Sequence, residues 1–220
     1  MSVWKEIYNN NQQINKYPFE SVVKFIFKNY GKLTKEERKK IKVLEVGCGT
    51  GNNIWFLAEE GFDVYGIDIS PKAIELSKNM LSKKGLSASL YVSSFTELPF
   101  ENNYFDIIID RLAIINCPEF IDESLCNVYN KLNVNGKFFC VCFNTNHDGY
   151  KRSINKYTKI NDFGLNKVDD LVLSECGPIY FMDENYTILK KYFKIIEEIK
   201  VTYEENNNNN CQSQLVLIKI

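Results

Sequence analysis

Apolar runs and amphipathic stretches alternate along the middle of the chain. An apolar strand pattern at Lys42–Val46 leads into the loop Gly47-Cys48-Gly49-Thr50-Gly51, and apolar residues at helical spacing follow. A second strand pattern at Asp63–Ile67 is followed by Ser70-Pro71, which are capping and first-turn signals for another helix. The pattern predicts two strand–loop–helix units in succession.

The same alternation continues up to residue 143. Strands are predicted near Ala88–Val92, at Phe105–Ile109 and at Lys137–Phe143, with a helix at Glu119–Leu132 and a polar turn at Asn133–Gly136. The last strand is a continuous apolar run, which is typical of strands covered on both faces. Five strands joined by crossovers indicate an α/β fold with a doubly wound, Rossmann-like parallel sheet.

The chain changes character after this strand. Residues 144–182 show no sustained period, and we interpret them as a loop-rich insertion on the substrate side of the domain. A helix is predicted at Glu184–Phe193. Strands at Ile195–Tyr203 and Gln214–Ile220 are joined by the tract Asn206–Asn210, which suits an antiparallel hairpin with a solvated, mobile tip. We therefore expect a seven-stranded sheet that is mostly parallel.

The first forty residues precede the sheet and form an N-terminal helical segment. Their clearest element is a helix at Phe19–Tyr30, introduced by Pro18 and ended by Gly31. Two interpretations of the aromatic residues ahead of it stay open: they pack this segment onto the sheet, or they form a lid over a ligand. These residues are Trp4, Tyr8 and Tyr17.

Composition and charge narrow the function class. The 220 residues are 45% hydrophobic, which suits one well-buried domain spanning residues 1–220. Lys and Arg number 27 against 28 Asp and Glu, so bulk charge gives no attraction to nucleic acid or an anionic membrane. No apolar run approaches the roughly 20 residues of a membrane span, and the N-terminal residues do not resemble a secretory leader. We expect a cytoplasmic monomer or homodimer.

The seven cysteines do not indicate a metal site. They are odd in number, include no CxxC pair, and mostly lie in apolar stretches where a thiol acts as a small hydrophobic group. Cys140 and Cys142 share a strand face, but His147 is the one histidine of the sequence that could help them bind zinc. We expect reduced thiols and no metal.

The glycine-rich loop and one acidic residue carry the clearest chemistry. Glycines at the carboxyl end of a strand let the backbone approach a ligand, and the amides of the following helix attract an anionic group. Asn52 stands where the dinucleotide fingerprint requires its third glycine, which weakens the case for NAD. Asp68 ends the second strand, where the topology places an acid beside a ribose. The spacing predicts a nucleoside-binding site.

These residues resemble the class I S-adenosyl-L-methionine-dependent methyltransferases, in particular the small-molecule type. The resemblance rests on an ordered set of motifs and covers roughly residues 4–143, and the terminal hairpin is similar to the antiparallel strands of that family's sheet. The motifs are Glu45-Val46-Gly47-Cys48-Gly49-Thr50-Gly51, Gly66-Ile67-Asp68-Ile69-Ser70, Leu98-Pro99-Phe100 and Phe105-Asp106.

The resemblance implies a role for each matching residue. Glu45 would lie near the methionine ammonium of the cofactor, and the backbone of Gly47-Cys48-Gly49 would pass alongside it. Asp68 would bind the ribose hydroxyls, and Ile69 would pack on the adenine. Ser94 stands where the family often has an aspartate for the adenine amino group, and it is followed by Phe95.

Further roles implied by the resemblance concern the reactive end of the site. Arg111, after the fourth strand, would contact the cofactor from this loop or face the acceptor, unless it forms a surface salt bridge. Trp4 and Tyr17 would form an aromatic lid that excludes water.

Methyl transfer from a sulfonium needs in-line approach of the acceptor and no covalent enzyme intermediate. If the acceptor must lose a proton, His147 is a candidate base, and Asp110 and Tyr150 are alternatives. The stretch 110–113 reads Asp-Arg-Leu-Ala, unlike the Asn-Pro-Pro-Tyr or Asp-Pro-Pro-Tyr of members that methylate nucleic-acid bases, so a nucleic-acid substrate is not expected.

Three functions follow from these features. The first is methyl transfer to a small-molecule acceptor, with S-adenosyl-L-homocysteine as the product. The alternative is a non-catalytic sensor or partner-binding module that binds S-adenosyl-L-methionine without turnover. A nicotinamide oxidoreductase is the third, and NADH binding would distinguish it.

Overall fold

The computed structural model describes residues 3–170, 173–205 and 208–219. Its helices are α1 (Val3–Asn9), α2 (Glu20–Tyr30), α3 (Lys35–Arg38), α4 (Asn52–Glu59), α5 (Pro71–Lys83), α6 (Ile121–Lys131), α7 (Asp148–Ser153) and α8 (Thr187–Lys190). Its strands are β1 (Lys42–Val46), β2 (Asp63–Asp68), β3 (Ser89–Val92), β4 (Phe105–Arg111), β5 (Leu132–Phe143), β6 (Gly164–Leu165), β7 (Ile179–Tyr180), β8 (Phe193–Glu205) and β9 (Asn208–Lys219).

The main sheet has seven strands in the order β3-β2-β1-β4-β5-β9-β8. The strands from β3 to β5 pair in parallel, whereas β9 pairs antiparallel with both β5 and β8. The predicted α/β fold with a C-terminal antiparallel hairpin is therefore confirmed. Because the chain order reverses beside β1, the carboxyl ends of β1 and β4 border a crevice in which ligands of such sheets bind.

Apolar side chains cover both faces of the sheet, as the continuous apolar strands predict. On one face, α2 and α4 contribute Phe25, Ile26 and Leu57 to a core that contains Ile107 and Ile109. Another set of buried apolar residues covers the other face, and α6 contributes its apolar stripe to it: Ile121, Leu125 and Val128. Full burial of one such side chain is worth about 1.5–3 kcal/mol, so these two layers fix the sheet and the loops at its edge.

The predicted helix at Phe19–Tyr30 and the predicted helix cap at Ser70 agree with the structure. Phe19 and Gly31 flank α2, and the Ser70 hydroxyl caps α5 by accepting from the Ala73 amide at 3.3 Å.

No helix of the described residues is long and apolar enough to cross a membrane.

Three predicted boundaries differ from the structure. The helix expected at Glu184–Phe193 is reduced to α8 because Phe193 pairs with Lys219 and begins β8. Residues 133–136, expected as a turn, form an irregular start of β5, where the register shifts against β4. Asn206 and Asn207 of the expected hairpin tip lie outside the described residues, but residues 208–210 belong to β9.

A buried arginine joins the N-terminal helices to the end of α4. The Arg38 guanidinium donates to the carbonyl oxygens of Tyr30, Gly31 and Glu60, at 3.2, 3.3 and 3.3 Å, and also to the Glu60 carboxylate. Only 5% of Arg38 is exposed, so water cannot replace these bonds. The end of α2 is thereby attached to the end of α4.

We predict that Arg38→Met destabilises the protein by about 2–4 kcal/mol, because it leaves three carbonyl oxygens and a carboxylate without their buried donor. Urea unfolding monitored by circular dichroism measures the change. Lys39→Met is the matched control, since Lys39 forms an exposed ion pair with Glu36 and such pairs contribute about 0–1 kcal/mol. Equal losses in the two variants would contradict the structural role of Arg38.

Candidate active site

A cavity of about 330 Å³ lies at the carboxyl edge of the parallel strands. The loop after β1, the end of β2, the loops after β3 and β4, and the end of β5 all contribute to its wall. Most residues predicted to contact a cofactor line it: Glu45, Gly47, Cys48, Gly49, Asp68, Ile69, Ser94, Phe95 and Arg111. The topology thus brings together residues that are up to 66 positions apart, from Glu45 to Arg111.

The glycine loop is shaped for close approach. Gly47 has φ +66°, and a Cβ there would lie 2.3 Å from the Ala113 methyl carbon. Gly49 has φ +52°, and a Cβ there would lie 2.6 Å from the Tyr8 hydroxyl oxygen. Both the left-handed backbone and the crowding exclude larger residues, so the loop can present bare backbone to a ligand.

Asp68 connects this loop to the start of α5. One carboxylate oxygen accepts from the Gly49 amide at 3.0 Å, and the other accepts from the Ser70 amide at 2.8 Å. Burial raises the pKa of Asp68, while these two backbone donors act in the opposite direction. Each carboxylate oxygen retains accepting capacity, so Asp68 can also bind a pair of ligand hydroxyls.

Glu45 lines the cavity and has one buried oxygen without a partner among the described residues. Its Oε1 accepts from the Asn53 amide at 2.6 Å, whereas its Oε2 is buried and has no partner among the described residues. Burial raises the pKa of this carboxyl to about 8, with Asn53 and Arg111 lowering it, and Asp110 and Asp68 raising it. A buried acceptor without a donor is costly, and a cationic ligand group would satisfy it.

Arg111 supplies the positive charge in the wall. Its guanidinium lies 3.7 Å from the centre of the Phe19 ring, and its Nε has no partner among the described residues. Burial lowers its pKa, and the charges of Glu45 and Asp110 oppose that shift. Arg111 is therefore a half-buried cation in the cavity wall, stacked on an aromatic ring.

The loop after β3 forms another part of the wall. Its Ser94 and Phe95 line the cavity, as does the exposed Ile69, which follows β2. The Ser94 hydroxyl accepts from the Thr96 amide at 3.3 Å and shares a hydrogen bond with the Thr96 hydroxyl at 3.0 Å. A hydroxyl replaces the carboxylate that related loops often carry, so this edge is neutral.

Of the aromatic residues ahead of α2, two line the cavity and one does not. Trp4 and Tyr8 on α1 line the cavity, with ring centroids 6.0 Å apart. Tyr17 does not line it: its side chain is 79% exposed, and its carbonyl oxygen accepts from the Asn52 amide at 3.0 Å. That backbone contact fixes the segment with the Tyr17 ring in solvent.

His147 does not face the cavity either. Its Nδ1 caps α7 by accepting from the Gly149 amide at 2.9 Å, and its ring lies between Phe143 and Phe181. Burial lowers its pKa, which keeps it neutral, as a cap acceptor must be. The prediction of a catalytic base at His147 finds no support in this geometry.

The two alternative bases are also absent from the cavity wall. Asp110 is buried and accepts from the Ala113 and Ile114 amides at 2.8 and 3.2 Å, so its carboxylate holds the turn after β4. Burial raises its pKa to about 6. Tyr150 packs on Phe181 in the insertion.

Sequence reasoning missed several wall residues. Asn210 and Gln212 come from β9, and Cys117 and Cys176 come from loops far apart in sequence. Alternation in β9 could have placed the two amides on one face, but only its pairing with β5 shows that this face meets the cavity. Among the described residues, no group of three or more His, Cys, Asp or Glu side chains could hold a metal ion.

These residues fit the chemistry of S-adenosyl-L-methionine. Glu45 Oε2 is an unpaired buried acceptor for an ammonium, Asp68 can accept from ribose hydroxyls, and the glycine loop leaves room for the ligand between them. The sheet order, the glycine loop and the acid at the end of β2 define the class of S-adenosyl-L-methionine-dependent methyltransferases.

Comparison with known proteins agrees with this class. The family model for a methyltransferase domain matches residues 37–162, and the chain belongs to that family. A ubiquinone/menaquinone biosynthesis C-methyltransferase, UbiE, from Rickettsia bellii is 26% identical over 186 residues, which are 80% of this chain and 73% of that protein. A ubiquinone biosynthesis O-methyltransferase from Rickettsia felis is 26% identical over 138 residues, 63% of this chain, and the match spans about half (54%) of that relative's length.

Solved structures share the fold. A S-adenosyl-L-methionine-dependent methyltransferase from Methanosarcina mazei has a TM-score of 0.69 at 20% identity, covering 81% of this chain and 92% of that one. The 1,6-didemethyltoxoflavin-N1-methyltransferase of Burkholderia thailandensis, solved with bound 1,6-didemethyltoxoflavin and S-adenosylhomocysteine, has a TM-score of 0.67 at 13% identity, covering 98% of this chain and 85% of that one. At these identities the comparison concerns the fold alone.

The raised pKa of Glu45 predicts a pH-dependent stability. Its folded pKa lies above the ordinary value of 4.5, so the folded state holds a proton that the unfolded state has lost between these values. Stability therefore falls as the pH rises through this window. Glu45→Gln keeps the neutral form, so this variant should gain at least about 1.4 kcal/mol relative to wild type between about pH 5 and about pH 9.

Urea unfolding at a series of pH values measures this difference. Glu37→Gln is the control, because the hydrogen bonds with Thr34 lower the pKa of Glu37. The free energy of unfolding of Glu37→Gln should therefore not rise relative to wild type as the pH increases. A constant offset between Glu45→Gln and wild type would show that Glu45 titrates normally.

Proposed function

We propose that this protein is a methyltransferase that transfers the methyl group of S-adenosyl-L-methionine to a small-molecule acceptor by in-line displacement. The observation that carries the proposal is the unpaired Glu45 Oε2, buried in the same cavity as the glycine loop and Asp68. Buried acceptors are almost always paired in folded proteins, so this oxygen points to a cationic ligand group.

The chemistry suits a site built for positioning. The sulfonium supplies an activated methyl group, so the protein needs to orient the acceptor and exclude water. Asp68 and Glu45 would hold the two ends of the cofactor, and Trp4 and Tyr8 would cover it. In this proposal Ile69, Ser94 and Phe95 contact the adenine, although Ser94 provides a weaker acceptor than a carboxylate.

A small acceptor is supported by the enclosure of the cavity and by the relatives. The insertion contributes Leu173, Cys176 and Ile179 to the wall, and we propose it as the substrate side of the domain. The names of two relatives refer to ubiquinone or menaquinone biosynthesis, and that of a third names tocopherol. The expected cytoplasmic location, the monomeric or dimeric state and the absence of nucleic-acid and membrane binding stay predictions.

Calorimetric titration with S-adenosyl-L-methionine, S-adenosyl-L-homocysteine and NADH tests the proposal. We expect micromolar binding of the first two ligands and none of NADH. Chromatographic detection of S-adenosyl-L-homocysteine released in the presence of a metabolite extract then tests turnover. Binding without any turnover would favour the alternative of a sensor, and binding of none of the ligands would contradict both.

We predict that Asp68→Asn weakens binding of S-adenosyl-L-homocysteine by about 1.5–3 kcal/mol, because the charge-assisted bonds to the ribose hydroxyls are lost. The amide oxygen can still accept from one backbone donor, which limits damage to the loop. Asp63→Asn at the opposite end of β2 is the matched control and should bind normally in the same calorimetric titration. Unchanged affinity of Asp68→Asn would overturn the ribose role.

We predict that Tyr8→Ala weakens binding of the same ligand about tenfold, or about 1.4 kcal/mol, because its ring and hydroxyl form the wall against Gly49. Tyr17→Ala should leave the affinity unchanged, since the Tyr17 side chain lies in solvent. Calorimetry on both variants decides between the two tyrosines. A loss in Tyr17→Ala alone would restore the lid expected from sequence.

A further inference from the structure

The strand β8 forms one edge of the seven-stranded sheet. It pairs with β9 on one side, and the backbone of residues 194–205 forms no hydrogen bond with any other part of the described chain. The strand is 13 residues long. Natural proteins rarely leave such an edge open, because its free N–H and C=O groups are a template for a further strand.

This edge also exposes large apolar side chains. Ile199 and Tyr203 are 47 and 49% exposed, and both lie on one face of β8 because they are four residues apart in a regular strand. Tyr203 pairs with Asn210, which lines the cavity. The exposed surface therefore lies next to the cavity wall without belonging to it.

A bulge limits where another strand can pair with β8. The register against β9 shifts between Ile195 and Glu197, and the pairing is regular from Glu197 to Glu205. Because a bulge bends an edge away from a neighbouring strand, only the second half of β8 can be extended by a regular strand.

A second copy of this chain is a partner whose side chains are known. Two copies of β8 can pair antiparallel about a twofold axis perpendicular to the sheet, and twofold contacts are the commonest in oligomers. Side chains that lie opposite each other then point to the same face, so the axis must pass beside one residue rather than between two. The choice of that residue fixes every opposite pair.

Charge excludes most of these registers. An axis at Glu197, Glu198 or Lys200 places that residue opposite its own copy. An axis at Val201 places Glu198 opposite Glu204. Like charges directly opposite each other destabilise a strand pair, so none of these four registers is favourable.

One of the remaining registers pairs a longer stretch than the others. Within the regular part of β8, an axis at Ile199 pairs only residues 197–201, and an axis at Tyr203 pairs only residues 201–205. An axis at Thr202 pairs residues 199–205.

The register centred on Thr202 also gives favourable pairs on both faces. Lys200 lies opposite Glu204 of the second copy, Val201 lies opposite its Tyr203, and the two Thr202 residues face each other. Opposite charges, aromatic with β-branched residues, and threonine pairs are the combinations that stabilise antiparallel strands. Lys200 forms an exposed ion pair with Glu198 at 3.3 Å, and exchanging such a pair for Glu204 costs little.

We propose that a second copy of this chain pairs with β8 antiparallel about Thr202, so that the two seven-stranded sheets form one continuous sheet. The inference goes beyond the proposed function and uses no residue of the cavity wall. The stretch 199–205 is shorter than the about 20–30 residues a side of a standard interface. We therefore expect a reversible dimer whose fraction rises with protein concentration.

Sedimentation velocity over a series of protein concentrations measures this dimer. Lys200→Glu should weaken it by at least about tenfold, because two glutamates then lie opposite each other on both sides of the axis. Glu204→Lys should weaken it similarly by opposing two lysines. The double variant Lys200→Glu/Glu204→Lys restores opposite charges and should dimerise like wild type.

Lys194→Glu is the matched control, since it makes the same exchange at an exposed residue of β8 ahead of the bulge. It should leave the dimer unchanged, and circular dichroism checks that each variant folds. Hydrogen exchange provides a measurement that needs no variant. Protection of residues 199–204 should rise with protein concentration, whereas the opposite edge strand, Ser89–Val92, should not change.

Three outcomes would overturn the proposal. Wild type that stays monomeric at millimolar concentration would leave this edge to a strand of another protein. Equal weakening by Lys200→Glu and Lys194→Glu would assign the dimer to another surface, and failure of the double variant to recover would exclude the register centred on Thr202. Calorimetry with S-adenosyl-L-homocysteine tests the proposed function separately, because these substitutions lie outside the cavity wall.

Discussion

The hydrogen bond from the Gly49 amide to the Asp68 carboxylate is the contact on which the site depends. It joins the loop after β1 to the end of β2, while the second oxygen of the same carboxylate holds the Ser70 amide at the start of α5. Bonds to a charged group are worth about 1.5–3 kcal/mol. Because Asp68 is buried, this one side chain positions two loops and still offers its remaining lone pairs to a ligand.

Burying the Glu45 carboxyl near this contact costs free energy, and the fold alone does not require that burial. Glu45 lies in the interior with one oxygen bonded to Asn53, whose own oxygen accepts from the Phe19 amide at 2.9 Å. That chain of bonds fixes Glu45 relative to α2 and leaves its second oxygen without a partner among the described residues. Carboxyl groups with shifted pKa values collect where ligands bind, and the pKa of Glu45, which burial raises to about 8, is such a shift.

Sequence patterns predicted the cofactor part of the molecule because the information there is local. The glycine loop, the acid at the end of β2 and the Ser70 cap each follow a strand within a few residues, and parallel topology brings their ends together. The irregular segment before α2 has no period, so Tyr17 could not be distinguished from Tyr8. The prediction of a catalytic base at His147 finds no support for another reason. A histidine that caps a helix cannot be distinguished by sequence from a catalytic base until its hydrogen-bond partner, here the Gly149 amide, is known.

The cavity wall contributed by β9 and the insertion is built from long-range contacts and could not be predicted in the same way. Gln212 reaches the cavity because β9 runs antiparallel to β5 in a register that places it opposite Phe143, and a slip of one residue would turn it to the other face. The insertion contributes residues to the cavity wall from loops whose sequence has no repeating pattern of apolar and polar positions. Since these segments do not include the glycine loop or Asp68, their side chains can change the ligand accepted while the cofactor contacts stay intact. This separation is one physical way in which a single fold can serve different ligands.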